Sequence, residues 1–126
     1  MIRHSLLAIA LLAGTPLAAR AQAATPAPKP TGRDITLTGT VIDLSCRFSK
    51  GSQGPEHLAC FEGCVKAGVP IGILGTDGKL YIPAKHEESQ TPMLAPYAER
   101  QVTVTGKVYQ AAGANVIEVA TVKAAS

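Results

Sequence analysis

The chain has no tryptophan and few aromatic residues of any kind, with three tyrosines and two phenylalanines among its 126 residues. Its 12 glycines and 9 prolines exceed the share that a helical bundle usually carries. This composition favours short strands joined by turns over long helices. The length corresponds to one small domain and leaves no room for a two-domain enzyme.

Net charge is also scarce. The formal charge is +3, but two of the 12 basic residues, Arg3 and Arg20, lie in a segment that we expect to be removed. Ten basic and nine acidic residues then remain, which leaves a net charge of +1. A protein that binds nucleic acid through its phosphates needs a clustered basic face. We therefore expect no nucleic-acid partner.

No apolar run is long enough to span a membrane. The apolar stretch from Leu6 to Leu17 is about a dozen residues long, whereas a spanning helix needs roughly 20. A short basic start precedes this stretch, and small residues follow it at Ala21 and Ala23. This three-part pattern predicts a secretory signal peptide over residues 1–23, cleaved after Ala23. We expect a periplasmic or secreted protein in an oxidising compartment, with no membrane span after cleavage.

The rest of the chain divides into a leader and one domain. Residues 24–33 contain three prolines and no large apolar side chain, which predicts a flexible leader. Residues 34–126 are predicted to form a single domain. Apolar residues alternate with threonines from Asp34 to Asp43, the period of a half-buried strand. Further apolar runs predict strands at 70–74, 79–82, 102–108 and 116–123.

Two hairpins and two helices connect these strands. Asp77-Gly78 predicts the first hairpin, and the turn at 112–115 predicts the second. Apolar spacings of three and four predict a helix over 56–67, and Thr91-Pro92 starts a short helix that ends near Glu99. The order predicts a mainly β fold, an OB-like five-stranded barrel with an inserted Cys/His-bearing helix. The alternative is an open five-stranded antiparallel sheet with one flanking helix.

The most informative feature is the clustering of all three cysteines with one histidine, at Cys46, His57, Cys60 and Cys64. At about 100° per helical residue, the last three of these side chains project within an arc of about 60°. They form one stripe on the predicted helix. The glycine-rich loop 51–54 allows Cys46 to fold back over that stripe.

Three interpretations of this cluster remain open. The four side chains make a Cys₃His ligand set, which suits Zn²⁺, and their thiolates also suit Cu(I). Alternatively, one disulfide joins Cys46 to Cys60 or Cys64 and staples the helix to the barrel. In the third interpretation, Cys60 and Cys64 are a redox pair tuned by His57. We carry the metal interpretation forward, with Asp43 as a hypothetical partner for His57. The disulfide-stapled module without metal or catalysis is its main rival.

Other cofactors have no motif here. The chain contains no Cys-x-x-Cys-His, so covalent haem attachment is not predicted. Its glycines match neither the dinucleotide nor the P-loop spacing, so no nucleotide is predicted. The polar run 86–89 is typical of a solvated loop. We name no catalytic residue and predict no reaction.

Four stretches together carry a resemblance, and they lie at 39–46, 57–70, 77–81 and 102–108. With them the chain resembles a group of small exported bacterial proteins of largely unassigned function. The resemblance implies a signal peptide, an OB-like β domain and a shared Cys/His cluster, but no reaction. The Cys-x₃-Cys pair with its histidine is also similar in type to the site of exported copper-delivery proteins. That likeness concerns the site alone, since the strand order does not suggest their thioredoxin-like fold.

Overall fold

The structure is a computed structural model that describes residues 25–126. The predicted signal peptide, residues 1–23, lies outside the described residues. The strands are β1 (Arg33–Asp43), β2 (Ile71–Gly75), β3 (Leu80–Pro83), β4 (Gln101–Ala111) and β5 (Ala114–Ala124). The helices are α1 (Leu44–Lys50), α2 (Leu58–Lys66) and α3 (Thr91–Leu94), with 3₁₀ turns at Pro55–His57 and Ala95–Tyr97.

The five strands close into a barrel in the order β1-β2-β3-β5-β4. Strand β1 pairs with both β2 and β4, so the sheet has no free edge. The predicted OB-like five-stranded barrel is thereby confirmed, and the open sheet is wrong. One pair of strands is parallel, because β3 and β5 run in the same direction over three residue pairs. Their pairing follows from the route of the chain, which passes through α3 and β4 before it returns along β5.

Aliphatic side chains fill the barrel interior. On β4, Val102, Val104 and Val108 are fully buried, as the alternating pattern predicts. The core also contains Phe61 from α2, which is 1% exposed. Phe61 therefore anchors α2, which carries Cys60 and Cys64, to the barrel.

Two helices, not one, lie between β1 and β2. The sequence predicts only the second of them, over 56–67, where the structure has the 3₁₀ turn followed by α2. Helix α1 was not predicted, and it contains Cys46. It ends at Gly51, whose positive φ of 69° is a left-handed conformation that favours glycine.

Gly106 permits the irregular pairing of β4 with β5, where the register shifts between Thr105 and Gly106. A Cβ atom on Gly106 would lie 2.2 Å from the carbonyl oxygen of Glu118. We expect Gly106→Ala to destabilise the barrel by about 1–3 kcal/mol, the usual cost of overpacking. Gly63→Ala is the control, because a Cβ on this helical glycine meets nothing within 4 Å. It should stabilise α2 by about 0.5–1 kcal/mol. Urea denaturation measures both changes, and equal stability of the two variants would contradict this account.

Candidate metal centre

Helix α1 places Cys46 beneath the surface at the end of β1. The Asp43 carboxylate caps this helix, because its Oδ1 accepts a hydrogen bond of 3.0 Å from the backbone N–H of Cys46. Cys46 therefore lies in the first turn of α1, with its side chain buried. Asp43, an N-cap residue type directly before Leu44, is the weak local signal of α1 in the sequence.

The second helical segment supplies the other three predicted ligands. His57 ends the 3₁₀ turn, and α2 carries Cys60 and Cys64 one turn apart. These three side chains differ in burial. His57 is 6% exposed, Cys64 is half-buried, and Cys60 is exposed. The predicted clustering of His57, Cys60 and Cys64 with Cys46 is confirmed, and the Cys60 thiol can be reached from solvent.

The thiols of Cys60 and Cys64 both lie close to the thiol of Cys46. Cys46 Sγ lies 3.7 Å from Cys60 Sγ and 4.0 Å from Cys64 Sγ. Two thiolates that share a tetrahedral zinc ion, with roughly 2.3 Å bonds, lie roughly 3.8 Å apart. All three cysteines are free, so neither of the predicted disulfides is formed in the structure. The sulfur spacing fits a shared metal ion.

His57 offers one ring nitrogen to this cluster. Its Nδ1 lies 2.8 Å from Glu99 Oε1, so Nδ1 donates its proton to that carboxylate. Nε2 is then the ring atom with a free lone pair, and it is buried without a hydrogen-bond partner. Leaving a buried polar atom unpaired costs about 1–3 kcal/mol. The donor atoms of Cys46, His57 and Cys60 all lie within 4.8 Å of one another, so a metal ion there would satisfy Nε2.

The carboxylate that holds His57 is Glu99, and the hypothesis that Asp43 does so is wrong. Glu99 Oε2 also accepts a hydrogen bond of 3.1 Å from the backbone N–H of Gly54, which fixes the loop before His57. The backbone N–H of Glu99 donates to Val41 of β1 at 2.9 Å. Its positive φ of 56° is uncommon for a residue with a side chain, and strain of this kind clusters at functional sites.

Sequence reasoning missed Glu99 because 42 positions separate it from His57. The two residues meet only when the connection from α3 to β4 closes against β1, which involves the whole barrel. No local motif marks Glu99. Its place between a 3₁₀ turn and a strand is the single weak signal.

Glu99→Gln should weaken metal binding. A glutamine keeps the size of the side chain but lacks the negative charge that fixes the histidine tautomer. We expect the affinity for Zn²⁺ to fall by about 10- to 100-fold, with the fold intact. Competition titration against a chromophoric chelator measures the change. Glu62→Gln, an exposed carboxylate on α2, is the matched control and should leave the affinity unchanged.

The thiols differ in acidity. Interactions with the Cys46 thiol and with His57 lower the pKa of Cys60. The neighbouring Asp43 carboxylate holds the proton on the Cys64 thiol, and burial adds to this effect, so the pKa of Cys64 is raised to about 12. The metal-free cluster is therefore polarised, with its readiest thiolate at Cys60, the residue open to solvent.

The other sequence motifs lie outside this cluster. His86 and Glu87 are exposed, with 88% and 86% of their side chains accessible. Tyr81 is buried in the barrel core, and its hydroxyl donates a hydrogen bond to Asp77 at 2.7 Å.

Comparisons with protein-family models, with curated proteins and with solved structures find no match. Among residues 25–126, no helix has both the length and the apolar character needed to cross a membrane.

Proposed function

We propose that this is an exported protein whose Cys46, His57, Cys60 and Cys64 bind a soft or borderline metal ion, Zn²⁺ or Cu(I). The observation that carries the proposal is the buried, unpartnered Nε2 of His57, held beside thiols by a carboxylate on the opposite ring nitrogen. Carboxylate–histidine–metal arrangements of this kind are typical of protein metal sites. The signal-peptide pattern of residues 1–23 supports export.

The exposure of Cys60 favours a metal-handling role over a purely structural one. Four protein ligands fill a tetrahedral site, so a metal ion leaves a Cys₃His set only when another ligand replaces one of them. Here one ligand is buried in α1 and another is exposed on α2. An incoming ligand can therefore reach the ion from the Cys60 side, which is what transfer to or from a partner requires.

A cobalt titration of the mature protein tests the proposal. Co²⁺ bound by thiolates gives intense charge-transfer absorption, and this absorption disappears when Zn²⁺ replaces Co²⁺. We expect saturable binding by the wild type. In Cys60→Ser, the affinity for the ion beside His57 should fall by more than about 100-fold, since outer partners alone are worth 10–100-fold. Ala59→Ser adds a hydroxyl at the exposed neighbouring position and should bind like the wild type. Absence of thiolate absorption in the wild type would overturn the proposal.

Metal binding should weaken on acidification. The hydrogen bond to Glu99 raises the pKa of His57 above its ordinary 6.5, and a proton on Nε2 blocks the ligand atom. In the metal-free protein, this raised pKa contributes stability that is present below 6.5 and lost as the pH rises through the raised value. The zinc-loaded protein should instead become more stable as the pH rises, because zinc binds when Nε2 of His57 carries no proton. Zinc affinities and melting temperatures measured from about pH 5 to 8, around the histidine range, should show these opposite slopes. Parallel slopes would contradict them.

The rival function is a disulfide-stapled OB-like binding module without metal. Its support is the proximity of Cys46 to both other thiols, together with the oxidising compartment that the signal peptide implies. It leaves one thiol unpaired, and it gives no partner to the buried Nε2 of His57. Under this function, removing Cys46 would lower thermal stability without changing metal content.

A further inference from the structure

The donor atoms around Cys46 form two groups. In the first, Cys46, His57 and Cys60 lie within 4.8 Å of one another. In the second, Asp43, Cys46 and Cys64 do so. Cys46 belongs to both, and it is the only residue that α1 contributes to either group.

Each group contains one buried polar atom without a partner. In the part of the chain that the structure describes, the buried side-chain atoms that lack a hydrogen bond are His57 Nε2 and Asp43 Oδ2. Asp43 is fully buried, and only its Oδ1 is used in capping α1. No hydrogen bond reaches Oδ2, and the neighbouring Cys64 thiol, whose proton this carboxylate holds, is only a weak donor. One cation bound to the His57 group therefore leaves this buried carboxylate without a cation of its own.

We propose that the cluster has a second cation position, formed by Asp43, Cys46 and Cys64, and that the Cys46 sulfur bridges it to the ion held by His57 and Cys60. This inference rests on the proposed function of the site. It assigns Asp43 as a metal ligand, a role that the Cys₃His set does not include.

Charge balance supports two divalent ions. The three thiolates and the carboxylates of Asp43 and Glu99 carry five negative charges, of which two divalent cations neutralise four and one neutralises two. With a single divalent ion, the same groups would retain either excess negative charge or protons in a site where Asp43 and Cys46 are both buried. On binding, each thiol releases its proton to solvent and forms a sulfur–metal bond.

The donor set also selects the class of cation. A carboxylate oxygen is a hard ligand that suits divalent ions such as Zn²⁺ and does not suit Cu(I). The mixed oxygen and sulfur donors of the second position therefore favour a borderline divalent cation. Cu(I) would bind at the position formed by Cys46, His57 and Cys60 and not at the second position.

Zinc stoichiometry of the mature protein, measured by native mass spectrometry, tests this inference. We expect two ions per chain in the wild type and one in Asp43→Asn. Cys60→Ser should also retain one ion, at the second position. Asparagine is as good a helix cap as aspartate, so α1 should be preserved, and its circular dichroism and melting temperature without metal check this.

The outcomes separate this inference from the proposed function. One ion in the wild type, whether or not Asp43→Asn retains it, would overturn the second position and leave the metal site itself intact. Two ions in both proteins would overturn the role of Asp43. No ion in the wild type would overturn the proposed function and this inference together.

Discussion

Cys46→Ser should abolish metal binding, because Cys46 is the donor common to both ligand groups. A serine hydroxyl stays protonated at neutral pH and is a poor ligand for soft or borderline ions. The Cys46 sulfur lies close to the sulfurs of both Cys60 and Cys64, so its loss removes a donor from each group. We expect the zinc affinity to fall by more than about 1,000-fold, which exceeds the 10–100-fold loss typical of an outer partner.

Ser45→Ala provides a matched control for this change. Ser45 is exposed on α1, next to Cys46, and it belongs to neither ligand group. The control should bind zinc like the wild type, as measured by competition titration. Near-normal zinc binding by Cys46→Ser would contradict the placement of Cys46 at the centre of the cluster.

Phe61→Ala should produce the largest loss of stability. The side chain of Phe61 is 1% exposed in the barrel core, and its ring meets the His57 ring edge to face at a centroid distance of 6.5 Å. Truncating a buried phenylalanine to alanine costs about 3–5 kcal/mol, a large share of the 5–15 kcal/mol typical of a domain. We expect this loss in urea denaturation of the metal-free protein.

Phe61→Ala should also weaken zinc binding, because Phe61 links the stability of the fold to the geometry of the metal site. Without its anchor, α2 no longer holds His57 and Cys60 against α1, so zinc should bind more weakly. Saturating zinc should still recover part of the stability, since a ligand that binds only the folded state stabilises it. Phe61→Leu, which keeps most of the apolar volume, should show a smaller loss of both. Unchanged zinc affinity in Phe61→Ala would contradict this coupling.

Local periodicity accounts for what the sequence could predict. The valines of β4 alternate with polar residues because one face of the strand is buried, and Asp77-Gly78 forms its turn within four residues. Likewise, Cys60 and Cys64 lie one turn apart on α2, as the 3.6-residue helical period predicts. Each of these features depends on residues that are close in the chain.

The features that were missed depend on distant residues or on weak local signals. Glu99 reaches His57 only after the barrel closes, and β3 meets β5 in parallel only because of the route between them. Helix α1 has seven residues and no apolar periodicity strong enough to mark it, so the sequence does not identify Asp43 as its cap. Local patterns therefore predict the wrong partner for Asp43 and no role for Glu99.

Intact native mass spectrometry of the protein exported by its own signal peptide, and purified without chelator, tests the central claim most directly. We predict the mass of a chain cleaved after Ala23, with three reduced cysteines and at least one bound metal ion whose identity follows from the increment. A metal-free chain lighter by two hydrogens would contradict the metal centre and establish the disulfide-stapled module in its place.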